Sequence, residues 1–290
     1  YNLIILKLFK IVFLLIAFLG SQILFSQEQV RSKKEIENLL ANAGTAFFNL
    51  DVDKSLKLSK TALDNAYKIK DDALMAKAYN IIGLNFEEFY NPDKGFDYYQ
   101  KALKHAELAK NDSIRDWVNN NIGSYYSYRK NNFKKSIEYY KKALFFSEKI
   151  KDSIEIMYTK LNIASAYFAI NDFKNGIVYL KSTKDYVLKS DELEAKISLC
   201  TMMGSYYSFY NDNTKAEQFF NEAVNLSKQN TSELLDSNVY DVYNDFSKHY
   251  KKIKNYEKAF YYLNLHQQLK EKVYNDERIK KVKLAGSEIE

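Results

Sequence analysis

The chain has 290 residues, of which 46% are hydrophobic and 28% are charged, with one proline and eight glycines. This composition favours long uninterrupted helices and argues against a turn-rich sheet protein. The net charge of +6 comes from 43 basic and 37 acidic residues spread along the chain, which argues against a nucleic-acid-binding patch. Cys200 is the single cysteine, which excludes an internal disulfide framework and a cysteine-based zinc site.

The first 27 residues have the pattern of an export signal. Lys7 and Lys10 form a basic start, the apolar run IVFLLIAFLG follows, and Ser26 is a small residue at which cleavage can occur. The apolar stretch over residues 11–25 is 15 residues long, shorter than the roughly 20 needed to span a bilayer. We therefore expect residues 1–27 to be a cleaved signal peptide or, alternatively, an uncleaved membrane anchor. Both alternatives export the rest of the chain.

A pattern with a period of about 40 residues begins after residue 35. Each unit has a small residue, an aromatic residue three positions later in all but the first unit, and a second small residue about twelve positions after the first. The first small residues of the six units are Ala43, Gly83, Gly123, Ala164, Gly204 and Ser247. The second small residues are Ser55, Gly95, Ser136, Gly176, Ala216 and Ala259. Offsets of three, four and seven mark one helical face, so each unit is predicted to be two helices that approach closely at the small residues.

Polar residues separate the predicted helices. Within the units stand Asn91-Pro92-Asp93, Asn131-Asn132, Asn171-Asp172 and Asn211-Asp212-Asn213. Pro92 is well placed for a first helical position. Between units the predicted N-cap residues lie in Asp71-Asp72, Asn111-Asp112-Ser113, Lys151-Asp152-Ser153 and Ser190-Asp191.

The units resemble the tetratricopeptide repeat family. The segments IIGLNF with KGFDYYQKAL, and MMGSYY with KAEQFFNEAV, match its small-x-x-aromatic and aromatic-alanine signature. The resemblance covers residues 36–273 and implies an all-α, right-handed superhelical solenoid of about six antiparallel helix pairs. Repeats are expected near 36–70, 76–110, 116–151, 157–190, 197–230 and 240–273. The family's usual proline after the second helix is missing, which indicates longer helices; armadillo or HEAT arrays are the alternative.

The last segment, residues 274–290, is predicted to be a charged connector helix. It is similar to the helix that follows the repeats in exported proteins of Bacteroidetes-type bacteria, many of which continue into a transmembrane helix and a sensor histidine kinase or a transcriptional regulator. This resemblance implies a periplasmic or membrane-tethered sensory part of a signalling protein in a Gram-negative bacterium. A free-standing periplasmic or outer-membrane assembly factor is the alternative.

No pattern of an enzyme site is found in the sequence. His105, His249 and His266 fall at different repeat positions and lack the spacing of a metalloenzyme motif. Cys200, four residues before Gly204, is expected to be a buried apolar thiol. We therefore expect no catalysis, no cofactor and no metal, with an enzyme of unrecognised type as the remaining alternative.

The expected partner is a protein or peptide rather than a nucleic acid. In the family's arrangement the first helices line the concave side, so residues flanking the first small residue are the candidates for partner contact. These partner-binding candidates are Lys77, Asn80, Glu87, Trp117, Asn120, Tyr128, Tyr158, Ser165, Phe168, Thr201, Ser205 and Phe209. For each aromatic candidate, packing between repeats competes with a role as a binding anchor. Membrane contact is expected only through the N-terminal segment or a C-terminal span outside this sequence.

Two further features bear on the ligand. Leu40 and Gly44 stand where some family members have part of a lysine and asparagine clamp for a C-terminal carboxylate, so that ligand is not expected. In the last repeat, a basic surface is formed by Lys248, Lys251, Lys252 and Lys254. It is either a solvated face or a site that attracts an acidic segment.

Overall fold

The computed structural model describes residues 31–229 and 236–287, which form twelve α-helices and two π-helical turns with no β-strand in these ranges. The helices alternate as the first and second members of six antiparallel pairs. The first helices are α1 (Lys33–Phe48), α3 (Asp72–Asn85), α5 (Asp112–Ser124), α7 (Ser153–Ala169), α9 (Leu193–Phe209) and α11 (Asp236–Lys252). The second helices are α2 (Val52–Ile69), α4 (Pro92–Ala109), α6 (Phe133–Ile150), α8 (Phe173–Lys189), α10 (Asn213–Ser227) and α12 (Tyr256–Ser287).

The predicted all-α solenoid with a period of about 40 residues is confirmed. The π-helical turns Phe86–Tyr90 and Tyr125–Arg129 extend α3 and α5, and α12 runs through most of the segment predicted as a connector. The predicted export signal lies outside the described residues. Among the described residues, no helix combines the length and apolar character needed to cross a membrane.

Most of the predicted caps are confirmed. Pro92 is the first residue of α4, and Asp71, Asn111 and Asp152 accept hydrogen bonds from backbone N–H groups of the helices that follow them. The prediction was wrong at Ser190-Asp191. Helix α9 begins after Glu192, whose side chain makes no capping bond. The Ser190 hydroxyl donates to the Val187 carbonyl and accepts from the Glu192 N–H, so it lies in the turn between the helices and does not cap α9.

The close contacts at the small residues are also confirmed. A Cβ atom added at Gly83 would lie 2.6 Å from the Tyr99 ring, and one at Gly123 would lie 2.5 Å from the Tyr140 ring. Both rings are fully buried between the helices of their pairs. A small residue on the first helix thus makes room for a large one on the second. This contact determines how the two helices of each pair pack against each other.

Candidate functional site

Two cavities lie along the face formed by the first helices. The N-terminal cavity has a volume of about 610 Å³ and is lined by residues of α1, α3 and α5 and by Glu155 near the start of α7. The C-terminal cavity has a volume of about 680 Å³ and is lined mainly by α7, α9 and α11, with Tyr128 at its edge. We call the two cavities and the wall between them the groove.

All of the predicted partner-binding residues except Glu87 line the groove. Glu87 is buried instead and accepts a hydrogen bond from the Tyr99 hydroxyl, so this candidate was wrong. Lys77, Asn80, Trp117 and Asn120 line the N-terminal cavity. The C-terminal cavity contains Tyr128, Tyr158, Ser165, Phe168, Thr201, Ser205 and Phe209. The structure therefore brings the candidates together on one face, while their contact with a partner stays a prediction.

The lining residues recur at fixed offsets from the first small residue of each pair. Six positions before it stand Glu37, Lys77, Trp117, Tyr158, Ser198 and Asp241. Three positions before it stand Leu40, Asn80, Asn120, Leu161, Thr201 and Asn244. Offsets of three and four residues fall on one face of a helix, so the groove is a repeated feature of the array.

Amide side chains link neighbouring first helices across the groove. Asn121 Nδ2 donates to Asn80 Oδ1 at 2.8 Å, and Asn162 Nδ2 donates to Asn120 Oδ1 at 3.2 Å. We call these two pairs the amide rungs. A carboxamide has two N–H donors and a carbonyl acceptor, so each rung keeps hydrogen-bonding capacity after its own bond is made.

The N-terminal cavity is mainly apolar. Leu40, Phe47 and Leu84 line it, and Trp117 is 37% exposed at its edge. Its carboxyl at Glu155 is half-buried, and desolvation raises the pKa of this group, helped by the negative charge of Asp152. The cavity therefore combines an apolar floor with a carboxyl group that is poorly solvated.

The C-terminal cavity is more polar. Tyr158 donates its hydroxyl hydrogen to Glu192 at 2.6 Å, and the ring of Phe209 stacks on Phe173 at 4.3 Å between centroids. Desolvation raises the pKa of Asp241 to about 6, and the neighbouring Asp245 adds to this effect. Hydroxyl, aromatic and carboxyl groups thus share one wall.

Some candidate residues are held by packing. Phe168 lies 2.4 Å from where a Cβ on Gly176 would stand, so its ring is part of the pair's closure. Thr201 is only 8% exposed and donates its hydroxyl hydrogen to the carbonyl of Ile197 at 2.8 Å. Asn80 is likewise buried. These side chains build the wall, whereas Trp117, Tyr128 and Phe209 expose large apolar surface.

Several residues that line the groove were not among the predicted candidates. Phe48 stands five positions after the first small residue, the same offset as Tyr128 and Phe209, so the repeat register contained the signal for it. Asp241 shares the offset of Trp117 and could have been found in the same way. Glu155 lies off these offsets and had no such signal.

The remaining reactive side chains hold structural positions. Cys200 is buried as predicted, and burial raises the pKa of its thiol to about 12. His249 is 1% exposed and its Nδ1 lies 2.9 Å from the Ser208 hydroxyl. The basic surface of the last repeat is partly neutralised, since Lys248 pairs with Asp245 at 2.9 Å and Lys252 donates to the Phe209 carbonyl at 3.1 Å.

The repeat pattern can be compared with known families. Two segments match the tetratricopeptide repeat. They are residues 118–144 in the third pair and residues 197–230, which begin in the fifth. The array is therefore a tetratricopeptide-like solenoid. No curated protein matches the chain.

Solved structures share this fold at low sequence identity. The apo form of RapI has a TM-score of 0.67 at 14% identity, covering 88% of this chain and 89% of that one. Aspartyl phosphate phosphatase F from Bacillus subtilis has a TM-score of 0.65 at 17% identity; the match covers 86% of this chain but 62% of that one, less than two thirds of its length. NprR in complex with its cognate peptide NprX has a TM-score of 0.62 at 13% identity, covering 88% and 75%. These likenesses show the fold alone.

Proposed function

We propose that the chain is a protein-interaction scaffold whose groove binds an extended peptide or a helical segment of a partner protein. The observation that carries the proposal is the pair of amide rungs in a groove with aromatic walls. The rung of Asn121 and Asn80 lies in the N-terminal cavity, and the rung of Asn162 and Asn120 joins the two cavities. NprR, which has a similar fold, was solved with its cognate peptide NprX. That precedent supports a peptide as the ligand class.

The rungs suit a polypeptide backbone. Neighbouring packed helices lie about 8 to 10 Å apart, which is the length of about three residues of an extended chain. Amide rungs on successive first helices can therefore form hydrogen bonds with an extended peptide at about every third residue. A carboxamide can donate to a backbone carbonyl and accept from a backbone N–H, so it binds main chain without selecting a side chain.

The aromatic side chains of the groove are expected to bind the side chains of the partner. Trp117 and Tyr158 occupy the same offset in neighbouring pairs, one in each cavity. Large aromatic side chains supply most of the binding energy at many peptide interfaces, because they bury much apolar area with few rotatable bonds. These two residues are therefore expected to be the main anchors.

Replacing both Trp117 and Tyr158 with alanine is expected to weaken peptide binding at least about tenfold and to leave the helix content unchanged. The measurement begins with selection of displayed random peptides against the purified protein. The affinities of the selected peptides are then determined by fluorescence anisotropy, and helix content by circular dichroism.

The matched control replaces Phe145 and Val178, which are each 63% exposed on second helices outside the groove. This pair of alanine substitutions removes exposed apolar surface without touching the groove and should leave the affinities unchanged. If the selected peptides bind the Trp117 and Tyr158 double variant as tightly as the unchanged protein, the groove is not the binding site.

We also propose that the chain is exported and that its groove is the sensory part of a signalling protein. The basic and apolar pattern of residues 7–26 supports export. The 32-residue helix α12 supports a connecting role, because it is much longer than the 17-residue first helix α11 on which it packs. A free-standing assembly factor in the periplasm or outer membrane would use the same groove.

Export is tested with a reporter enzyme that is active only outside the cytoplasm. Fusing residues 1–40 to the reporter is expected to give activity in a Gram-negative host, and inserting two glutamates into the apolar run should abolish it, since charge there opposes membrane insertion. A cytoplasmic reporter fused to the same segment serves as the expression control. Equal activity with and without the inserted charges would show that residues 1–27 are not an export signal.

A further inference from the structure

The groove carries negative charge although the chain as a whole has a net charge of +6. The acidic residues that line it are Glu37, Glu155, Glu194, Asp241 and Asp245. The lysines that line it are Lys77, Lys248 and Lys252. Charge of one sign in a cleft with low-dielectric walls concentrates ligands of the opposite sign.

Two of the three lysines are already engaged. Lys248 Nζ lies 2.9 Å from Asp245 Oδ1, and Lys252 donates to backbone carbonyls at the end of α9. Asp245 also accepts a hydrogen bond from Ser205. By contrast, the described residues include no hydrogen-bond or ion-pair partner of Asp241, although the charges of Lys248, Lys270 and His266 act on its carboxyl from a distance. This carboxyl lines the C-terminal cavity and can accept a hydrogen bond from a ligand.

A second group of acidic side chains lies beside the N-terminal cavity. Asp116 is fully buried, and neither of its carboxyl oxygens has a hydrogen-bond partner among the described residues. It faces Glu155 and Asp152, whose charges together with desolvation raise its pKa. A buried acidic cluster without a cation is costly, and a positive charge placed there would be favourable. Glu155, which lines the cavity, is the member that a ligand can reach.

The neighbouring aromatic side chain fits a planar cation. Trp117 follows Asp116 in α5, is 37% exposed and interacts through its indole N–H with Glu155. The face of an indole ring attracts cations, and a guanidinium stacks on it while donating hydrogen bonds to a carboxylate. An arginine side chain can stack on the Trp117 indole and donate hydrogen bonds to Glu155 at the same time. A lysine ammonium is a point charge and cannot stack in this way.

We infer that the groove selects a segment with basic side chains, arginine above all, and that Glu155 beside Trp117 and Asp241 in the other cavity receive them. This inference rests on the proposed function, because it names the chemical class of the segment that the same groove binds. The amide rungs hold the backbone between the two carboxylates. Recognition of charge at both ends gives the segment its specificity.

The test compares arginine with citrulline, a neutral side chain of nearly the same shape. Two pools of random peptides are prepared that differ only in having arginine or citrulline at two fixed positions, and their retention on the purified full-length protein is measured. The arginine pool is expected to be retained about tenfold more strongly at low ionic strength, with a smaller ratio in high salt. In the double variant Glu155→Gln and Asp241→Asn, the two pools should be retained equally, and retention of the citrulline pool should be the same as on the unchanged protein.

The control variant carries Glu138→Gln and Asp185→Asn, two exposed acidic positions on second helices. It should keep the full ratio. Equal retention of the two pools by the unchanged protein, or an unchanged ratio in the Glu155 and Asp241 double variant, would overturn the inference. If the Trp117 and Tyr158 double variant retains less peptide than the unchanged protein in those cases, the groove still binds peptides and only the preference for arginine is wrong. If that variant retains as much peptide as the unchanged protein, both proposals are wrong.

Discussion

Gly95→Ala is expected to destabilise the protein by about 2 to 3 kcal/mol, although it adds a single methyl group. Gly95 lies in the first turn of α4, where a Cβ atom would stand 2.7 Å from the backbone nitrogen of Glu87 and 2.8 Å from the carbonyl oxygen of Gly83. Backbone atoms cannot rotate away, so α4 would have to move off its partner helix. The free energy of unfolding by urea, followed by circular dichroism, measures the effect.

The same substitution at Gly44 is the matched control. A Cβ atom there meets no atom within 4 Å, and Gly44 lies inside α1. Alanine loses less conformational freedom than glycine when a helix forms, so Gly44→Ala should stabilise the protein by about 0.5 to 1 kcal/mol. We therefore expect the free energy of unfolding to fall with Gly95→Ala and to rise with Gly44→Ala. A Gly95→Ala protein as stable as the unchanged chain would contradict the helix contact described here.

The helix pairs could be predicted because spacing alone determines them. A glycine and an aromatic side chain can interlock only where two helix backbones approach closely, and the recurrence of this pattern at Gly83, Gly123 and Gly204 fixed the register of three pairs. The caps followed from single residues with short polar side chains. The start of α9 did not, because its N-cap position holds Glu192, whose side chain makes no capping bond.

The candidate site could be predicted in part. Its offsets follow from the repeat register, which is why the predicted residues other than Glu87 line the groove. The sequence could not show that Phe168 packs against Gly176 and that Thr201 is buried, while Phe209 stays 47% exposed. It also could not show that Glu155 comes close enough to Asp116, in a different pair, to help raise the pKa of the Asp116 carboxyl. That information depends on how one pair packs on the next.

Asp116→Asn is expected to stabilise the protein at pH 7 by about 1 to 3 kcal/mol. The pKa of Asp116 rises from its ordinary value near 3.8 to about 8 because burial penalises the charged form, with further contributions from Glu155 and Asp152. Between these two pH values the folded protein keeps a proton that the unfolded chain has released. The stability that this group contributes is thus complete below about pH 4 and is lost as the pH rises through about 8, with a slope of up to about 1.4 kcal/mol per pH unit.

The measurement is urea unfolding of the unchanged protein and of Asp116→Asn at several pH values between 4 and 8. The difference between the two should grow in favour of the variant as the pH rises, which separates Asp116 from other carboxyls that titrate in the same range. Asp185→Asn, at an exposed position, should shift stability by less than about 0.5 kcal/mol at every pH. A variant that is less stable than the unchanged protein at pH 7 would mean that the Asp116 anion has a stabilising partner. The expected gain instead identifies a carboxyl that costs stability in the unbound protein, a cost that a cation bound beside Glu155 would offset.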